Sequence, residues 1–447
     1  MNAEIRPVKT AAEIGLADLF AAACRSLPGG RNTEVARRDA FDRFAAQGLP
    51  HSRVEAWKYT DLRRLVRDAK PLAPRPDAVA RTVARDASGV FTGLDVRRLL
   101  IVDGTFVPEL SDLVGLEAGV SIRATVEALG ADEKVLPLDM AGTDPVAVLN
   151  TALAADGVVI TVAPGIVVER PIHLVSVTTG TTPAAMFTRS RLVLGDGAAL
   201  TLVETHEGPD QSDYQVNAAL QVEVGDKACL EHLKVVSEGA AALHIATLEA
   251  SIGAGADYRE FGFTIGGAVV RNQIFLRLAG EGTTASVHQA SLLSGRQHAD
   301  TTLVVDHAAA ASQSREVFKA VVDDEARAVF QGRITVQPGA QQTDARMMAR
   351  TLLLSDEAVA NCKPELEIFA DDVQCGHGTT TGALDDQLRF YLMARGIPEK
   401  EAEALLIQAF VGEVIDAVGR DDLRDALSRM MLAWLKGREQ GHASGGE

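Results

Sequence analysis

Aromatic residues are scarce: two Trp, four Tyr and fourteen Phe make up 4% of a 447-residue chain. Any large sheet must therefore pack through small and β-branched side chains rather than through rings. Cysteine is equally sparse. Cys24, Cys229, Cys362 and Cys375 are spread over the whole length with no CxxC pair, which excludes the dense disulfide framework of small secreted domains. A reducing cytoplasm is the expected setting. No stretch approaches the roughly 18 uninterrupted apolar residues of a membrane-crossing helix. The start, MNAEIRPVKTAAEIG, lacks the basic and then apolar segments of an export signal. Basic charge is in deficit: 44 Lys and Arg against 61 Asp and Glu leave a net charge of −17, which argues against a broad contact with nucleic acid or an anionic membrane. Phosphate-loop, dinucleotide-binding, GxSxG and HExxH patterns are all missing, so no nucleotide is expected on this chain itself and the commonest hydrolase readings fall away.

The length predicts two or three domains. Residues 1–98 read as a helical domain: AAEIGLADLFAAACRSL, then TEVARRDAFDRFAAQGL with Asn32 or Thr33 as its cap, then a segment from Ser52 with Glu55 three residues on, the spacing of a capping box. Trp57, Lys58 and Tyr59 read as a packed aromatic anchor. KPLAPRPD is expected to be a linker. Residues 99–156 form a mixed lead-in, with two short strands around Asp103 and Gly104 and a helix in DPVAVLNTALAAD.

From residue 157 to 382 the pattern is strand, small turn, strand. Turns begin at Gly195, Gly225, Gly253 and Gly280, at intervals of 30, 28 and 27 residues, and Asp323 and Ser355 open turns of similar composition. Units of this length cannot bury an apolar face alone and must stack on their neighbours. The short turns and the Val, Leu and Thr content favour a parallel β-helix over a propeller or a sandwich. The fold class is thus mainly β, a parallel β-helix core with helical ends, because residues 383–447 read as three amphipathic helices with a restart at Gly396 and Pro398. Leu405, Leu406, Phe410, Val414, Leu432 and Trp434 are expected to pack internally, while Met430 and Met431 are available to a partner. The tail GREQGHASGGE is expected to be disordered.

Chemistry concentrates in ADDVQCGHGTTTG. Residues i and i+2 of a strand share a face, so Cys375 and His377 can converge on one soft metal or sulfur species, with Gly376 permitting a close backbone approach. Two ligands do not close a site, so further donors would come from elsewhere or from a partner. The plain alternative is a buried thiol and a hydrogen-bonded imidazole. Cys362 could sit one coil away, whereas Cys24 and Cys229 read as packing residues. His206, His232, His244, His288, His298 and His307 show no HxH or HxxxH spacing, so core or surface hydrogen bonding is their default. No tight acidic pair marks a carbohydrate-cleaving β-helix, although scattered carboxylates leave that alternative open.

The run NCKPELEIFADDVQCGHGTTTGALDDQLRFYLMARGI, residues 361–397, resembles the C-terminal signature of the SufB/SufD family of iron-sulfur cluster assembly proteins, and EAWKYTDL looks like its SufD branch. The resemblance implies a right-handed parallel β-helix between helical domains and a noncatalytic scaffold. It also implies a complex with a SufB-type scaffold and a SufC-type ABC ATPase, which would supply the missing phosphate loop. His377 first, and Cys375 second, would hold a transient iron-sulfur cluster shared with the SufB-type subunit. Phe390, Tyr391 and Arg395 match in the helix expected to meet the ATPase, and each could instead only brace that helix. Separately from the resemblance, an open β-helix edge would allow the chain to pair with itself as a homodimer where the SufB-type partner is absent. A purely structural partner that touches no cluster remains the competing expectation.

Overall fold

The computed structural model describes residues 9–444 apart from Ser88 and Pro137. The chain winds between two facing parallel sheets. Coil 1 consists of Val158–Val162 and Ile172–Val177, coil 2 of Ala184–Leu194 and Ala199–Glu207, coil 3 of Tyr214–Val224 and Cys229–Ser237, and coil 4 of Leu243–Ile252 and Asp257–Thr264. Coil 5 follows with Val269–Leu278 and Thr284–Leu293, coil 6 with His298–His307 and Gln313–Val322, coil 7 with Arg327–Val336 and Thr343–Leu353, and coil 8 with Val359–Ile368 and Val373–Gly382. The first strand of each coil joins one sheet and the second joins the other.

Alternation sends every second side chain into the lumen, where like stacks on like across coils. Leu192, Val222, Ala250, Leu276, Val305, Ile334 and Leu366 form one such column in register. The expected corner glycines are explained by the stacking. A Cβ on Gly225 would lie 2.6 Å from the Asp196 amide nitrogen of the turn below, and one on Gly280 would lie 1.9 Å from that of Ala254. Asp196 and Asp226 complete this corner: each carboxylate accepts the amide of the next turn, Asp226 N at 2.9 Å and Ala254 N at 2.7 Å. Asp323 and Ser355 do not continue that series. They open turns at the opposite corner, between the second strand of one coil and the first of the next.

Helical layers cover the outer faces. Helices Ala11–Ala23, Arg31–Gln47 and Pro145–Leu153 pack with Ala185, Phe187 and Ile245 on the first sheet. Helices Glu399–Ile415 and Asp421–Ser444 pack on the second, against Val203, Leu233, Phe261, Phe263, Leu292 and Val321 of coils 2 to 6. At coil 7 the cover is reduced to its margin, where Glu413 reaches Arg350 and Leu354 packs against the same cluster. No helix among the described residues is long and apolar enough to cross a membrane.

Several local expectations are corrected. The helix Arg31–Gln47 starts after Gly30, and Asn32 and Thr33 instead donate to the carboxylate of Asp132. The Ser52–Glu55 capping box does not form: Asp61 caps the short helix Leu62–Leu65, while Glu55 reaches Lys363, 2.7 Å away on coil 8. Trp57 is the buried anchor expected, its indole donating to Asp144 at 2.8 Å. Within residues 70–77, Leu72 bridges Ala185, so this run is fixed to the sheet and is more than a linker. Met430 and Met431 are buried in the core rather than available to a partner, whereas Leu405 and Leu432 are exposed. Cys229, expected in packing, is exposed, and all four thiols are free. The last helix runs to Ser444, so most of the tail expected to be disordered is helical; residues 445–447 lie outside the described residues.

Candidate functional site

Coil 8 is the open end of the β-helix. Its strands pair with coil 7 on one side, and their other edges have no strand beside them among the described residues. Cys375 stands in register with Ala345 and His377 with Met347, both lumen-facing, so the two side chains share the inner face as their spacing predicts. His377 is exposed because no ninth coil covers it, and Cys375 is half-buried against the end of the main core. Cys362 is not one coil away. It lies on the first strand of the same coil, in register with Phe330 and also packed against the lumen core.

Burial pushes the Cys375 thiol up, and the Asp344 carboxylate adds to the effect. Burial likewise raises Cys362, partly offset by a hydrogen bond to Thr351. Both thiols are therefore protonated at neutral pH, and either would need a bound metal or a partner's positive charge to become a thiolate ligand. Sequence spacing missed Glu316. Alternation in QSREVF places it inside, in one column with Met347 and His377, and burial lifts its carboxyl to about 8.

Behind this strand, on the outer face, a cleft of about 680 Å³ separates the second sheet from the helix Glu399–Ile415. Arg315, Lys319, Arg346 and Arg350 line it, and Gly376 and Gly378 contribute open backbone. Its charges are paired internally. Asp344 takes Arg315 at 2.5 Å and Arg346 at 3.3 Å, while Glu413 takes Lys319 and Arg350. A Cβ on Gly376 would meet nothing within 4 Å, so a neighbouring backbone has room there.

The helix Asp386–Met393 buries none of its residues. Phe390 is 73% and Tyr391 53% exposed, and Arg395 stacks 3.5 Å over the Tyr391 ring, so Arg395 braces Tyr391 while both rings face outward. The six histidines of the repeat region divide. His298 bonds Thr60 and His307 bonds Ser312 and Ser314, as expected, but His206, His232 and His244 converge with carboxylates inside the lumen. Their sequence separations differ, so only the coil register could reveal the convergence.

These features define a β-solenoid with a helical layer on each outer face and a thiol and imidazole presented by its open last coil. A family profile described as "SUF system FeS cluster assembly, SufBD core domain" matches residues 176–410, and one described as "SufBD protein N-terminal region" matches residues 15–174. The chain is 32% identical over 406 residues to the iron-sulfur cluster assembly protein SufD of Escherichia coli, covering 89% of this chain and 90% of that one. It is 30% identical over 406 residues to an iron-sulfur cluster assembly SufBD family protein of Synechocystis, covering 88% of each. The chain belongs to the SufBD family, and its role is that of a Suf scaffold in iron-sulfur cluster assembly.

Proposed function

We propose that this chain is the SufD-type, noncatalytic subunit of a cytoplasmic assembly complex. It would contribute His377, with Cys375, as half of a site where a nascent iron-sulfur cluster is built as cargo. The observation that carries the reading is the placement of these two side chains on one face of an unprotected terminal strand. The two edges of coil 8 differ in kind. Val359–Ile368 carries Lys363, Pro364, Glu365 and Glu367, the charges and proline that keep an edge from pairing. Val373–Gly382 has no proline and no Asp, Glu, Lys or Arg over ten residues, so it is the edge open to a partner strand.

A SufB-type β-helix pairing there would bring the remaining ligands to His377 and Cys375. A SufC-type ATPase would dock on the exposed Phe390 and Tyr391, and its closure on ATP would shift the two β-helices against each other. That shift requires the ATP-bound ATPase to favour the rearranged complex. A purely mechanical role has one observation in its favour, the protonated and half-buried state of the Cys375 thiol.

Proline substitution tests the pairing. Successive amides of a strand point to opposite sides, so of Thr380→Pro and Thr381→Pro one removes a free-edge donor and the other an internal one. The free-edge variant should keep the wild-type thermal transition and stop copurifying with the SufB-type subunit. If both variants fold and both retain the partner, the pairing is wrong. Coexpression without the SufB-type subunit should yield a homodimer that the same proline disrupts.

A further inference from the structure

Inside the lumen, well away from coil 8, three side chains from different coils meet. His206 comes from the second strand of coil 2, Glu238 from the corner after coil 3, and His244 from the first strand of coil 4. Each offers one ligand atom, and these atoms all lie within 4.8 Å of one another. The two imidazole rings stand 4.6 Å apart at 70°. All three residues are at least 96% buried.

We infer that His206, Glu238 and His244 form a binding site for one divalent first-row transition-metal ion in the interior of the β-helix. Two imidazoles and one carboxylate are a donor set suited to iron(II), cobalt(II) or zinc(II). The surrounding bonds orient the set as the outer partners of a metal site do. Glu204 holds Nε2 of His206 at 2.5 Å and Nε2 of His232 at 3.2 Å. Tyr214 donates to Glu238 Oε2 at 2.5 Å, while Glu238 Oε1 lies 3.1 Å from His244 Nδ1. Glu238 Oε1 faces Nδ1 of His244, so a metal held by Glu238 would take that nitrogen in place of its proton, and Nδ1 of His206 is buried with no hydrogen-bond partner among the described residues. An unpartnered imidazole nitrogen in the interior is costly unless something binds it.

A small cavity of about 20 Å³ borders His206 and Glu238 and is also lined by Gly104, Met186 and Thr188.

The test uses the full chain, stripped with chelator and titrated anaerobically with cobalt(II), in a Cys362→Ser, Cys375→Ser, His377→Ala background that removes the donors of coil 8. About one cobalt per chain should survive gel filtration, and X-ray absorption should show nitrogen and oxygen neighbours at about 2.1 Å with imidazole scattering and no sulfur. Adding Glu238→Gln and His244→Gln should abolish the retained cobalt. Absence of retained cobalt from the folded background protein, sulfur in the absorption spectrum, or unchanged retention in the added variants would each overturn the site. Should the added variants fail to fold, the absorption spectrum of the background protein decides alone.

Discussion

Arg271→Met is expected to lower the unfolding free energy by about 3–5 kcal/mol, the usual cost of breaking one side of a fully buried ion pair. Arg271 and Asp300 are neighbours on the outer face of the first sheet, and both are fully buried beneath residues 55–60. The guanidinium bonds Asp300, donates to the Ala56 carbonyl at 2.7 Å and stacks 3.9 Å over Trp57. Thr60 also donates to Asp300 and meets His298 at 2.8 Å. Removing the cation leaves the carboxylate uncompensated and frees the segment that anchors the N-terminal helices. The double variant Arg271→Met with Asp300→Asn removes both charges and should recover part of the loss. Urea unfolding measures both. A loss under about 1 kcal/mol would put the pair among exposed salt bridges and contradict this account.

Glu316→Gln should do the reverse, and only at high pH. The Glu316 carboxyl is fully buried between Val287 and Met347, and desolvation raises it from 4.5 to about 8. A folded-state pKa above the unfolded one gives stability that is fully present below pH 4.5 and is lost as pH rises through about 8. Shifts of this size correspond to several kcal/mol. Glutamine cannot ionise, so the variant should match the wild type near pH 4.5, unfold at clearly higher denaturant by pH 8, and gain little more above pH 9. Parallel wild-type and variant stability curves between pH 5 and 9 would show that Glu316 is solvated or paired.

The β-helix is legible in sequence because its corners impose a residue type: stacked turns come too close for a Cβ at Gly225 or Gly280. The helix Pro145–Leu153 is legible for a local reason, since Asp144 accepts from Val146 N and Ala147 N. The Ser52–Glu55 box misleads because the helix begins later, at Leu62 with Asp61 as its cap, and Glu55 instead pairs with Lys363, 308 residues away, which no local rule contains. Cys375 and His377 share a face by strand periodicity alone. The column of Glu316 with Met347 and His377, the Arg315 pair with Asp344, and the triad of His206, Glu238 and His244 depend on which coil stacks on which. Coil lengths vary, so the register is a property of the folded stack rather than of any window of sequence.

The central claim is that His377 belongs to a cluster site completed by a partner. The most direct measurement is anaerobic cluster reconstitution on the chain coexpressed with its SufB-type and SufC-type partners, wild type beside His377→Ala, after equal assembly of the two complexes is confirmed. Iron and sulfide per complex should fall several-fold in the variant while subunit ratios stay unchanged. Equal iron and sulfide in both complexes would contradict the claim and leave this subunit a mechanical partner.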